Sequence, residues 1–418
     1  MVPPGRLFGM SLFWLAVNAH WSALLIAVIP HEVARIRPIG HAWILSVVLG
    51  VGAVVALVLP PFVGAYSDRC AHPWGRRRPY MVAGTGLNIA GLALMYIAGQ
   101  HGLISAYLMG YLVVQFGSNL ATAAYAGVIP DLVPARQRGT ASGWMAGMTQ
   151  LGNILGAIGG GLLIQRGLTL ATYSAICALL VILLIATTAA TRETPLAIRP
   201  GSLSLVQLVR SFWIDPRRYP DFAWVWFTRF LFTAGMWMVQ PYLQYYLRDV
   251  IGSPRPTEDA GRIVGVALVG AAVTGLLGGG LSDRMGRKRV VYLANGFMAC
   301  VSVAFMLVRS MEAVYAVAVI YGLAFGAYYS VDWALGCDVL PNRQDAGKDM
   351  GVWHIAMVLP QSLAPFLSGL LLTLGGSKAP SSAGVTHYAL SGYLMLFCVA
   401  AGLLALSALL LRNVRGVR

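Results

Sequence analysis

Two residues stand where chemistry is least expected. Arg229 lies inside the apolar string VWFTRFLFTAGMW and Asp332 inside YGLAFGAYYSVDWALG. A carboxylate and a guanidinium with such neighbours can pair, and the carboxyl can take up a proton when the arginine withdraws. Holding either charge at mid-depth in lipid costs roughly 2.5 kcal/mol or more, so each needs a partner or a purpose. Two readings are open: a fixed ion pair that pins two segments together, or polar groups of a solvent-reachable cavity with Asp332 as proton acceptor.

Weaker polar signals recur at helical intervals. Asn18, His20 and Trp21 cluster in the first apolar segment, and His354 precedes Gln361 by two turns in the eleventh. Tyr111, Gln115 and Asn119 are four apart, Gln150 and Asn153 three apart, and Trp237 and Gln240 share a face with Gln244. Tyr328 and Trp333 bracket Asp332. Amides beside aromatic rings suit a neutral sugar, whose hydroxyls take paired hydrogen bonds while its apolar ring face stacks. The same set suits a flat amphipathic drug, and either histidine can equally be a packing residue. No acidic or sulfur partner stands near a histidine at metal-ligand spacing, so no metal or other cofactor is expected.

The elements that must position these residues follow from composition. Of 418 residues, 58% are hydrophobic and 11% charged, against about 25% charged in soluble domains. So little charge cannot cover a water-facing surface, and the lipid bilayer becomes the solvent. A net charge of +15 would suggest nucleic acid in a soluble chain. Here the aromatic residues lie within the apolar runs instead of among the basic ones, which argues against it. The five cysteines form no CxxC pair and read as buried hydrophobes or loop thiols. The N-terminal MVPPGRLF is too short for a cleavable leader, so the first apolar run is expected to be a span.

Stretches free of Asp, Glu, Lys and Arg, the longest covering 79–130 and divided at Gly99–Gly102, give twelve spans of about 20 residues or more. With both termini on one side, that side holds 21 of the 30 Lys and Arg, the other holds eight, and Arg229 lies within a span. The bias places both ends in the cytoplasm. The spans of the first half then contain no charged residue.

The chain also repeats itself. Gly64 to Arg78 (GAYSDRCAHPWGRRR) returns as Gly279 to Arg289 (GGLSDRMGRKR), each closing a span and preceding the next. Asp131-Leu-Val-Pro-Ala-Arg returns as Asp338-Val-Leu-Pro-Asn-Arg, each followed by Gly-x-x-x-Gly. Two parallel six-span halves, 1–191 and 220–418, joined by a cytoplasmic linker at 192–219, are the expected domains.

The motif Gly-x-x-x-Asp-Arg-x-Gly-Arg-Lys at Gly279–Lys288 resembles the loop signature of the major facilitator superfamily, and SDRCAHPWGRRRP resembles the form in plant sucrose transporters and their animal relatives. The resemblance implies an all-α polytopic membrane protein of two pseudo-symmetric six-helix bundles. It implies a secondary transporter, not an enzyme, working by alternating access as a monomer in the plasma membrane. Spans 7 and 10 would then line the cavity of the second half. Asp68 and Asp283, with Arg69, Arg76, Arg284, Arg287, Asp131 and Asp338, would gate the cytoplasmic side, and Gly64 and Gly279 would let a neighbouring helix approach. Span 5 carries glycines at 143, 152, 156, 160 and 161, close to an antiporter pattern, but Ala157 stands where that pattern has proline; close helix packing is the simpler account. The expected activity is proton-coupled symport of a sugar or glycoside. Proton-driven export of amphipathic compounds is the alternative, and a receptor that binds without translocating is a third.

Overall fold

The computed structural model describes residues 1–134, 137–193, 214–339, 346–378 and 385–415. Twelve long helices follow one another: α1 (Pro4–Ile36), α2 (His41–Asp68), α3 (Arg78–Gln100), α4 (Ile104–Leu132), α5 (Arg138–Gln165) and α6 (Thr169–Ala190). Then come α7 (Pro220–Ile251), α8 (Pro256–Met285), α9 (Arg287–Leu307), α10 (Met311–Asp338), α11 (Ala346–Leu374) and α12 (Leu390–Leu410). Eleven are long and apolar enough to cross a membrane as they stand. The twelfth, α8, opens on Glu258 and Asp259 and is 30 residues long. The short strands β1 (Ser377–Lys378) and β2 (His387–Tyr388) pair antiparallel before α12. In lipid each helix satisfies its own backbone, which is why the chain is built of little else.

The helices cluster into two units. One holds residues 1–37 and 51–203, the other 38–50 and 204–418. The division in the linker region falls at 203/204, where the structure does not describe the chain, and the first ten residues of α2 cluster with the second unit.

In the first unit α1 lies along α5 and α6, and α3 along α4. Small residues set the spacing, as van der Waals packing must when lipid offers no hydrophobic drive. A Cβ on Gly152 or Gly156 of α5 would run into the backbone of Leu15 or Ala19 in α1. With Gly160 against Ala23, that contact accounts for three of the span-5 glycines as packing, whereas a Cβ on Gly143 would meet open space. A Cβ on Gly64 would meet open space, so the expected close approach there is not made; the side-chain environment of Gly279 lies outside the described residues. In the second unit α7 packs on α11 and α12, α8 on α10, and α9 on α10 and α12.

Several helices break their own regularity. A π-turn at Leu24–Val28 interrupts α1, and α7 carries a 3-10 turn at Gln240–Tyr242 and a π-turn at Leu247–Ile251. Pro30 and Pro241 mark two of these sites, where a missing N–H loosens the ladder. Past the π-turn α1 continues beyond its apolar run to Ile36, which corrects the expectation of a charge-free first half. Glu32 lies within the span at 1% exposure. Arg35 satisfies it at 2.6 Å and donates to the Gly99 carbonyl at 2.7 Å.

Candidate functional site

Arg229 and Asp332 meet. From α7, Nη1 of Arg229 stands 3.0 Å from Oδ2 of Asp332 on α10, each side chain 5% exposed. The N–H is not aligned as a hydrogen bond, so the contact is an ion pair by proximity. A third helix completes the enclosure. The guanidinium carbon lies over the Trp353 ring of α11, 3.1 Å from its centroid, and Nη2 reaches Met357 Sδ at 3.4 Å. Gly336, one turn beyond Asp332, makes room for Trp353, whose ring a Cβ at that position would strike. Tyr328 stacks on Phe232 with ring centroids 3.5 Å apart, its hydroxyl beside the Asp332 carboxyl. The arginine thus has two partners of different kinds, one ionisable and one a π-face that stays attractive at every pH.

The first unit assembles a polar set between α1 and α4. Trp21 Nε1 donates to Ser118 Oγ at 3.0 Å, Gln115 Nε2 to the Tyr111 hydroxyl at 2.8 Å, and Asn119 Nδ2 to Gln115 Oε1 at 3.1 Å. Asn18 donates to Trp14 O at 2.7 Å and lies 3.5 Å from Thr149 of α5. Asn153 offers its backbone carbonyl to Ser22 at 2.7 Å, while its side chain and that of Gln150 are half-buried. His20 departs from the group: it is 1% exposed, edge-on to Trp21, and neither ring nitrogen meets a hydrogen-bond partner among the described residues.

In the second unit Trp237, Gln240 and Gln361 are half-buried. Trp237 packs against the buried cluster of Ala234, Met238, Ala364 and Ala400, and Gln244 accepts from Thr257 of α8 at 3.0 Å. The side chains of Trp333, His354, Asp283 and Arg284 lie outside the described residues.

The two signature loops are better resolved in their chemistry. Gly75 and Gly286 both hold φ in the left-handed region, at 102° and 89°, which a side chain would strain. Each glycine turns the chain into the next helix and delivers an arginine to the same target. Arg76 pairs with Asp131 at 2.6 Å and Arg287 with Asp338 at 2.5 Å. The repeat of sequence is therefore a repeat of contacts.

A family model for the Major Facilitator Superfamily matches residues 6–365. The chain belongs to that superfamily. It is a multi-pass membrane transporter of small molecules, not an enzyme. Among curated proteins it is 28% identical over 171 residues to sucrose transport protein SUT1 of Oryza sativa subsp. japonica, covering 36% of this chain and 31% of that protein. It is 30% identical over 132 residues to solute carrier family 45 member 4 of Mus musculus, covering 29% and 16%. The chain thus matches a third or less of the length of these relatives. Among solved structures, nucleoside transporter NupG superposes with a TM-score of 0.72 at 14% identity, over 98% of both chains. A bacterial homolog of the human lysosomal transporter Spinster gives 0.71 at 14%, over 99% of both. At such identity these two speak for the fold alone.

Within this transporter, three functional-looking groups escape a reading of the sequence. Trp353 and Met357 are ordinary apolar residues until α11 lays them on Arg229. Arg77 is one of three consecutive arginines, yet it alone is buried at 6% exposure. It pairs with Asp68, and its Nε reaches Asp131 at 2.9 Å and its Nη1 reaches Ser67 at 2.5 Å. Arg69, grouped by sequence with the gate, donates to the Ala65 carbonyl in the last turn of α2 at 3.2 Å. Asp249, beside Arg248 near the end of α7, has a fully buried side chain; its position in the last turn of an apolar run hides that burial from sequence.

Proposed function

We propose that this transporter moves a sugar or glycoside together with a proton, both termini lying in the cytoplasm and the protein in the plasma membrane. The observation that carries the reading is the buried Arg229–Asp332 pair with Trp353 as the arginine's second partner. Removing one member of a buried pair strands the other at about 3–5 kcal/mol. Trp353 lowers that penalty, because Arg229 keeps the indole face when Asp332 is neutralised. The carboxyl then becomes free to hold a proton for the length of a transport cycle. Recognition falls to the Trp21, Gln115, Asn119 and Tyr111 set, whose amides and rings match hydroxyls and an apolar sugar face. The sucrose transport proteins among its relatives support that substrate class.

The decisive test is uptake into liposomes of radiolabelled sucrose and aryl glucosides, driven by an inward proton gradient. Wild type should accumulate at least one of them. Asp332→Asn should lose accumulation, by about 100-fold if the carboxyl is the coupling group, while retaining counterflow exchange. Unchanged accumulation in the variant removes Asp332 from coupling. Gradient-driven loss of a hydrophobic cation, with no sugar moved, replaces symport by export.

A further inference from the structure

We propose that His41, Arg248, Asp249 and His387 form a second proton-binding site, whose occupancy decides whether residues 38–50 stay docked in the second unit. The site is separate from Asp332 and holds whether or not Asp332 couples transport. On the orientation proposed above, the site lies at the outer membrane face.

The hydrogen bonds fix the protonation states. His41, the first residue of α2, is 0% exposed and edge-on to Tyr245 and Tyr388. Its Nδ1 stands 3.0 Å from the Pro38 carbonyl, and its Nε2 stands 3.3 Å from Arg248 Nη2. A carbonyl only accepts and a guanidinium only donates. Both contacts are therefore satisfied by one species, the neutral imidazole carrying its hydrogen on Nδ1. A proton added to Nε2 turns N–H against N–H and sets two like charges together in a dry site.

His387 faces a carboxylate. Its Nδ1 lies 2.9 Å from Asp249 Oδ1, where an N–H is the fitting partner. Asp249 also accepts from Arg248 Nε at 2.7 Å, the Tyr388 backbone N–H at 3.0 Å and the Tyr393 hydroxyl at 2.8 Å. The contact that an added proton on His41 opposes is the one between His41 and Arg248. Water reaches the cluster through Arg248 and His387, whose side chains are 21% and 29% exposed.

The charged and titratable groups facing His41 are Arg248 and Asp249 from α7, His387 from β2, and the phenols of Tyr245 and Tyr388. Burial pushes the Tyr388 phenol up to about 12, so it stays neutral while its oxygen accepts the Ala42 N–H at 2.9 Å. The other bonds holding the segment join neutral groups: Thr386 N–H to Pro38 O at 3.0 Å, and the Tyr242 hydroxyl to Ala42 O at 3.3 Å. Histidine is the side chain whose ordinary titration falls between pH 5 and 8. His41 thus makes the pH-sensitive bond in an otherwise neutral clasp. Residues 38–50 cluster with the second unit and the chain on both sides with the first, so loss of this bond frees the start of α2 from the second unit.

Amide hydrogen exchange of the full chain in detergent tests the proposal. Peptides covering 41–50 are followed at pH 7.5, 6.5 and 5.5, with each rate corrected for intrinsic exchange. Protection should fall about tenfold or more between the highest and lowest pH, while peptides covering 387–393 keep theirs. His41→Gln, a neutral acceptor for Arg248 at every pH, should stay protected throughout. Arg248→Gln, which removes the charge facing His41, should also lose the acid response, and His387→Gln should keep it. Equal protection of 41–50 at all three pH values in wild type overturns the proposal, as does an acid response that survives in His41→Gln. No transport is measured and both faces share one pH, so failure here leaves proton-coupled symport standing, and failure of the Asp332→Asn test leaves this site standing.

Discussion

The two signature loops begin from nearly the same residues and end in different structures. Gly75-Arg76-Arg77-Arg78 and Gly286-Arg287-Lys288-Arg289 share the left-handed glycine and the first arginine's pairing with an aspartate, Asp131 or Asp338. They part at the next position. Arg77 sits buried among Asp68, Asp131 and Ser67, and its backbone N–H donates to Glu193 at 2.8 Å. Lys288 instead reaches the Arg412 and Val414 carbonyls with its amine at 3.2 and 2.6 Å. A planar fork can serve several acceptors at once, whereas an ammonium acts as a point charge. One loop has become a buried hub tying α2, α4 and the end of α6 together, and the other a clamp on the chain beyond α12.

Substitutions can break this contrast. The largest effect is expected from Arg77→Ala, which removes several charge-assisted bonds made from a buried position while Asp131 keeps Arg76; about 3 kcal/mol should be lost. The thermal midpoint in detergent should drop by several degrees, and Arg77→Lys should recover less than half of the loss. If Lys288→Ala costs as much as Arg77→Ala, the two loops are equivalent and the contrast fails.

Gly75→Ala and Gly286→Ala come next, each straining a left-handed residue by about 1–2 kcal/mol. Gly75→Ala should be the worse, because its Cβ would also strike Glu193. Equal midpoints for the two would show that Glu193 moves aside at no cost. The smallest effect belongs to Asp338→Asn. Its ion pair is about one-third exposed on both sides, so its loss should be within about 1 kcal/mol and should shrink further in high salt. Asp131→Asn should exceed it, since two arginines lose their partner at once.

Much of this was legible beforehand. The apolar runs and their basic punctuation are local quantities, and they specified the twelve helices because lipid leaves a helix as almost the sole economical backbone. The repeat set Asp131 and Asp338 among the gating residues without saying which arginines they meet. Arg229 and Asp332 stood out by the sheer cost of burying them. What stayed hidden depended on neighbours. Nothing in Arg-Arg-Arg says which of the three turns inward. The apolar run ending before Glu32 gave no hint that a π-turn would carry α1 further, with Arg35 at hand to offset the buried carboxylate. Nothing local marks His41 or His387, which gain their partners only where α7 brings Arg248 and Asp249 between them.

Sequence by itself determined the solvent, the number of helices, the two-fold repeat and the presence of costly charges, because each follows from transfer energies summed along the chain. Tertiary structure alone decided which charge meets which partner: Trp353 over Arg229, Arg77 at the hub, and Asp249 with four donors. A buried charge is stable only when other helices supply its hydrogen bonds, and those helices are remote in the chain.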